Sequence, residues 1–268
     1  MTRNRIFPIT ILALSLVSYA HALPVAILSA TGNPAADLDI KNKILANAPF
    51  MDVDILRVDT STPSLAMMST YKALLVIGDD PFFSRSTLGN NLAAYLDAGG
   101  GIVMAALSNV TASRILGSFD VLSYWALTPA LMNSGTQLTL GTVYVPGSPL
   151  MTGVTSFDGG TLSLNVGGSV KPGAVRIADW SNGTPLVVEW APPGKGKEVA
   201  LNFYPASSDV NSGFWNSSTN GGRLLANALS EVGGADPVSA PEPWSMLLTG
   251  AGLILIGLLR KRDRQAGR

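Results

Sequence analysis

Through the first half of the chain, short apolar runs alternate with segments whose apolar residues recur every three or four positions. Residues 24–28, 53–58, 73–78 (ALLVIG) and 101–107 (GIVMAAL) read as strands. Residues 35–48 read as a helix that turns Leu38, Leu45 and Ala48 to one face. Residues 86–98 read as a second helix, with Leu88, Leu92, Tyr95 and Leu96 on one stripe and Gly99 behind it as a C-terminal stop. Apolar strands alternating with helices predict a parallel sheet covered on both faces. The second half is richer in strands, at 137–145, 162–166, 175–180, 186–190 and 199–203. Gly159-Gly160, Gly167-Gly168 and Pro192-Pro193-Gly194 punctuate them. A last helix over 220–232 puts Leu225, Ala228, Leu229 and Val232 together. The expected fold class is α/β. It is a three-layer domain over residues 23–234 with a mostly parallel central sheet, whose late strands extend the sheet or form a β-hairpin cap, plus a C-terminal transmembrane helix.

Both ends depart from this pattern. Arg3 and Arg5 precede a mostly apolar stretch at 6–16, and Ala20-His21-Ala22 forms an A-x-A cleavage pattern. That is the layout of a secretory signal peptide over residues 1–22, and the apolar run is short for a spanning helix, which needs about 20 residues. At the other end, residues 235–240 form a small polar linker, followed by Pro241-Glu242-Pro243. Residues 244–259 (WSMLLTGAGLILIGLL) carry no charge, and Arg260, Lys261, Arg262 and Arg264 follow within the basic tail 260–268. Sixteen helical residues reach about 24 Å, marginal for a hydrocarbon core of about 30 Å. Trp244 and the basic cluster are suited to anchoring the two interfaces, with the basic flank in the cytoplasm.

The order Pro-Glu-Pro, apolar helix, basic cluster over residues 241–268 resembles the PEP-CTERM sorting signal. The resemblance implies a Gram-negative bacterium that makes exopolysaccharide, passage through the secretion translocon, and recognition by an exosortase, a membrane Cys protease that cuts near Pro241-Glu242-Pro243. The body would stay in the periplasm on an inner-membrane anchor and then pass to the cell surface or extracellular matrix. An ordinary tail anchor is the alternative.

Composition now sharpens the picture. The whole chain has zero net charge, with 18 basic and 18 acidic residues. Residues 23–240 alone hold 11 basic and 16 acidic residues, so the body is mildly acidic and offers no attraction for nucleic acid. The chain has no Cys, and its one His, His21, falls in the predicted signal peptide. After cleavage no Ser-His-Asp triad, Cys-His dyad or His-ligated metal site can be built, and no cofactor is expected.

The body carries a second resemblance, in MSTYKALLVIGDDPF (68–82), LAAYLDAGGGIVMAAL (92–107), SPLMTGVTSF (148–157), GKEVALNFYP (196–205) and the Leu-Leu-Ala-Asn-Ala of 224–228. These pieces look like the class I glutamine amidotransferase-like superfamily, in the branch that includes trehalose-utilisation-type domains. In that superfamily the nucleophile is a Cys on a sharp turn after a central strand. Here the matching strand is 101–107 and the turn is Ser108-Asn109. Ser148-Pro149 stands where relatives often have His-Pro. The resemblance therefore implies an amidotransferase-like domain without amidotransferase chemistry.

Ligands of open α/β sheets bind beyond the carboxyl ends of the strands. That rule selects Asp79, Asp80, Ser108, Asn109 and Asn202 as pocket candidates, with residues 30–33 and Tyr204 beside them. Asp79 and Asp80 suit a cation or sugar hydroxyls, and equally a turn or a helix N-cap. Asp209, Phe214 and Trp215 lie in a polar loop, where the aromatics either stack on sugar rings or plug the sheet edge. Gly194-Lys195-Gly196-Lys197 lacks the Walker spacing and reads as a β-turn. The expected function is an exported surface or matrix protein with an inactive amidotransferase-like domain in a structural or exopolysaccharide-associated role. The alternatives are a hydrolase working through carboxylates and a polysaccharide- or cation-binding module.

Overall fold

The computed structural model describes residues 22–234. The predicted linker, the Pro-Glu-Pro motif, the apolar stretch 244–259, the basic tail and, apart from Ala22, the signal peptide lie outside the described residues. Within them no helix is long and apolar enough to cross a membrane.

The elements in chain order are β1 (Leu23–Ala30), α1 (Pro34–Asn47), β2 (Met51–Arg57), α2 (Leu65–Met68), β3 (Ala73–Gly78), α3 (Arg85–Asp97), β4 (Gly101–Ala105), α4 (Gly117–Val121), β5 (Met132–Asn133), β6 (Leu140–Val143), β7 (Asn165–Val166), β8 (Val175–Trp180), β9 (Pro185–Trp190), β10 (Glu198–Leu201) and α5 (Gly221–Gly233). Eight strands form one mixed sheet in the order β2-β1-β3-β4-β10-β9-β8-β6, and β5 pairs with β7 separately. The five strands from β2 to β10 run parallel. The last three are antiparallel, with irregular register from β9 through β8 to β6. Of the two expected roles for the late strands, extension of the sheet is the one adopted. β10 enters beside β4, and β9 turns back along it.

The pleat sends alternate side chains to opposite faces. Val25 and Ile27 of β1 meet Leu75 and Ile77 of β3 and pack under Ile40 and Ile44 of α1 and Leu225 and Leu229 of α5. Ala26 and Leu28 point the other way, with Leu74 and Val76, under Leu88, Leu92 and Leu96 of α3 and Phe119 of α4. Two apolar cores on two faces of one sheet make three layers. Full burial of each Leu or Ile contributes about 1.5–3 kcal/mol.

Local signals set the helix ends. Asn33 accepts from Ala35 N (3.0 Å) and Ala36 N (3.4 Å), with Pro34 in the first turn of α1. Ser84 caps α3, and Gly99, at φ +91°, follows the C-cap Ala98 as the stop that the sequence predicts. The face of α1 differs from expectation. Leu38 is exposed and Leu45 only half-buried, while Ala36, Asp37, Ile40 and Ile44 point inward. Asp37 is held inside by hydroxyls at the end of β1, and that contact sets the rotation of the helix. The predicted strands 137–145 and 162–166 shorten to β6 and the two-residue β7. The Gly159-Gly160 turn between them needs φ +71° at Gly160, where a Cβ would collide with carbonyls of Gly213 and Phe214.

Candidate functional site

β1 leads through α1 to β2 on one side, while β3 lies on its other side, so the chain reverses its direction of winding between β1 and β3. The crevice beyond the carboxyl ends of these two strands is where open α/β sheets bind ligands. Asp79 N and Asp80 N both donate to Ala30 O, at 2.9 and 2.6 Å, which ties the start of the post-β3 loop across the end of β1. The Asp80 carboxylate lies directly over Gly32, leaving no room for a Cβ there. Asp79 and Asp80 are both exposed. Neither caps α3, whose cap is Ser84, so the N-cap alternative is set aside.

A third carboxylate sits beneath them. Asp37 Oδ1 accepts from Thr31 Oγ1 at 2.7 Å and from Ser29 Oγ, and Arg57 approaches its Oδ2 at 3.9 Å. Arg57 is held chiefly by Asp59, with Nε to Oδ1 at 2.9 Å, and that bond and the fields of Asp59, Asp37 and Asp80 raise its pKa further. The Tyr204 hydroxyl faces Asp79. Loss of hydration pushes the Asp79 carboxyl above its usual range, the Tyr204 hydrogen bond opposes this, and neighbouring Asp80 adds to it. Burial and the same carboxylates push the Tyr204 hydroxyl far upward, so it remains a donor at every physiological pH. The crevice thus offers two exposed carboxylates, backed by the buried Tyr204 phenol that donates to Asp79 and by a guanidinium. That arrangement suits neutral polyhydroxy groups. Among the described residues no three acids or histidines stand close enough to share a metal ion.

The other predicted site residues serve the framework. The strained turn after β4 does not fall at Ser108. It falls one residue earlier, at the buried Leu107, whose φ of +75° is unusual for a branched side chain. Ser108 is fully buried and its Oγ donates to Val76 O at 3.0 Å, which turns the hydroxyl inward to the strand β3. Asn109 is buried, with Nδ2 donating to Leu127 O at 3.3 Å. Asn202 spends its amide on Val166 O (2.9 Å) and Pro185 O (2.7 Å), and its Oδ1 accepts from Val166 N at 2.7 Å. Asp209 lies at the rim, paired with Lys43 of α1 at 2.5 Å and accepting from Ser217 Oγ at 2.7 Å. Ser148 accepts from Leu150 N and opens a 3₁₀ turn. Trp215 is buried with its Nε1 on Pro205 O at 2.8 Å, so it packs the loop, while half-buried Phe214 stacks obliquely on Tyr204 with centroids 4.7 Å apart. Of the six pocket candidates, Asp79 and Asp80 share the crevice, Ser108, Asn109 and Asn202 are buried, and Asp209 stands apart.

Sequence reasoning missed Asp37 and Arg57, because their partners come from other elements. It also missed Glu198. This residue begins β10 at the opposite end of the sheet and is completely buried, with Oε2 accepting from Ala126 N and Oε1 without a partner among the described residues. A charged residue immediately before an apolar strand was the available signal.

The sequence matches no protein-family model and no curated protein. Its fold is similar to solved structures. A ThuA-like protein from Bacteroides uniformis ATCC 8492 aligns over 82% of this chain and 97% of its own, with TM-score 0.59 and 13% identity. A ThuA-like protein from Parabacteroides merdae ATCC 43184 aligns over 82% and 92%, with TM-score 0.55 and 13% identity. The mmIFT52 N-terminal domain aligns over 81% of this chain and all of its own, with TM-score 0.52 and 10% identity. At these identities the likeness is one of fold, and it agrees with the amidotransferase-like architecture that the sequence resemblance implies.

Proposed function

We propose that this protein is exported, held by a PEP-CTERM tail until an exosortase processes it, and displayed at the cell surface or in the matrix. On this reading its amidotransferase-like domain binds rather than catalyses. One observation carries the second half: the turn after β4, where the superfamily places its nucleophile, presents Leu107 and an inward-facing Ser108. A buried hydroxyl bonded to a backbone carbonyl, with no His in residues 22–234, is turned away from solvent and has no imidazole base to activate it. The first half rests on the tail residues Pro241, Glu242, Pro243 and Arg260–Arg264 and on the A-x-A pattern. Purified protein is expected to show no turnover of amide or ester substrates above buffer. Ser108→Ala is expected to leave that baseline unchanged and to lower stability by about 1 kcal/mol, the typical worth of one hydrogen bond. Turnover abolished by Ser108→Ala would overturn the reading.

The same crevice supports a definite ligand class. Asp79 and Asp80 present two exposed carboxylate acceptors at the switch point, with the buried Tyr204 hydroxyl donating to Asp79 from behind, and such acceptors suit sugar hydroxyls. Calorimetric titration with the organism's own exopolysaccharide is expected to give heat that Asp80→Asn reduces at least several-fold, with the unfolding midpoint unchanged. Equal binding by wild type and Asp80→Asn would remove the crevice from the account. Cleavage of the polysaccharide would instead support a hydrolase that works through carboxylates.

A further inference from the structure

The chain enters and leaves the domain at one end. Leu23 is the first residue of β1, in register with Met51 at the start of β2. Gly233 ends α5, and a Cβ built on it would lie 3.1 Å from Leu23 Cδ2 and 3.5 Å from the Ala73 Cβ at the start of β3. Gly101, at the start of β4, leaves no space for a Cβ against Val232 O of the last turn of α5. The beginnings of four parallel strands and the end of the last described helix therefore meet at one pole. A shallow open groove lies there, bordered by Tyr71, Lys72, Tyr95, Gly100 and Gly234. The Asp79–Asp80 crevice is at the other pole, beyond the full length of β1, whose eight residues carry the chain about 23 Å.

The connection to the apolar stretch is short. Nine residues, 235–243, separate Gly234 from Trp244. Even fully extended, the ten steps from Gly234 to Trp244 reach only about 33–36 Å. A domain of the described length has a radius of gyration of about 17 Å, and so a diameter of about 44 Å if spherical. The connection cannot carry the domain around so that its far pole meets the bilayer.

We infer that, while the tail is in the membrane, the pole where the parallel strands begin faces the lipid headgroups and the Asp79–Asp80 crevice points away from them. This rests on the tail-anchor reading above. It makes the groove beside Tyr71 and Lys72 the membrane-facing surface and opens the crevice to ligands from the outside.

The chain has no Cys, so one introduced Cys is a unique labelling site. Thr70→Cys and Ser212→Cys both replace exposed loop residues, at the strand-start pole and the crevice pole respectively. Asp80→Cys gives a second position at the crevice. Full-length protein carrying a donor dye at one of these sites would be reconstituted into phosphatidylethanolamine–phosphatidylglycerol vesicles with an acceptor dye on the headgroups. Energy transfer is expected to be several-fold higher from position 70 than from 212 or 80. Vesicle-bound protein with equal transfer from all three, or with more from 212 and 80, would overturn the orientation alone. Labelled chains that fail to co-float with the vesicles would overturn the anchor reading and the orientation with it.

Discussion

Raising the pH from about 5 to about 8 is expected to lower the unfolding free energy of this domain by several kcal/mol, and Glu198→Gln is expected to abolish most of that fall. Glu198 is completely buried on β10, between Ile102 of β4 and Trp190 of β9. Burial pushes its carboxyl up to about 8, against the opposing effects of the Ala126 N–H and of Lys171. Because the folded value lies above the unfolded one, the folded protein binds the extra proton. The stabilisation is complete below about 4.5, declines as the pH rises, and is gone above about 8. At about 1.4 kcal/mol per unit, the fall has an upper bound of about 5 kcal/mol. The charged groups around Glu198 are Lys171, whose ammonium lies 3.4 Å from the Trp190 ring centroid and whose own pKa burial lowers, and Lys195 beyond it, which Asp97 pairs. Asp59, Asp97, Asp120 and Asp209 are held below the usual carboxylate range, so their stabilisation is lost at the acid end instead. Together these shifts put the optimum on the acid side of neutrality. Gln keeps an acceptor for Ala126 N and cannot ionise. Urea midpoints of the two proteins across this range provide the check. A wild type with a flat profile, or a variant with the same fall, would show that the carboxyl is neither raised nor decisive.

Glu198 also shows where sequence reading stops. The run 199–203 reads as a strand because its side chains are apolar, and β10 does form there. The role of the preceding Glu depends on an N–H 72 residues earlier in the chain. Asp37 is similar. The sequence pattern turns Leu38, Leu45 and Ala48 to one face of its helix, yet Ser29 and Thr31 draw Asp37 inside and rotate α1 so that Ile40 and Ile44, not Leu38, meet the sheet. Strands 73–78 and 175–180 and the α3 stripe were legible to the residue, because local periodicity alone decides them. Part of the crevice was legible too. A topological rule selects residues at strand ends, which locates Asp79, Asp80, Thr31 and Tyr204. The rule cannot say that Arg57 from β2 and Asp37 from α1 converge on the same place. Nor does any periodicity encode a positive φ at Leu107, an arrangement that costs about 1–2 kcal/mol and persists only because tertiary packing outweighs it.

Asn202, which that rule selects, and Asp209, which the polar loop offers, are both candidate ligand residues, and stability measurements separate them. Asn202→Ala is expected to cost about 3–6 kcal/mol, while Asp209→Ala costs at most about 1 kcal/mol. Asn202 is buried and joins three segments: its amide donates to Val166 O of β7 and Pro185 O of β9, and its Oδ1 accepts from Val166 N. Truncation leaves one N–H and two carbonyls unpaired in the interior, at about 1–3 kcal/mol each before any water enters. Set against a total of about 5–15 kcal/mol, that should move the urea midpoint by a large fraction while leaving the slope unchanged. Asp209 instead holds an exposed ion pair with Lys43. Asn202→Asp separates the hydrogen-bonding role from the shape of the side chain. It preserves the acceptor for Val166 N, loses both donors and places a carboxyl among carbonyls, so its pKa should rise. The Asp variant should then be far less stable at neutral pH than at pH about 4, whereas Asn202→Ala should show no such added dependence. If Asn202→Ala left the midpoint unmoved and removed polysaccharide binding, Asn202 would belong to the ligand site after all, and the sheet's junction with β7 would need another support.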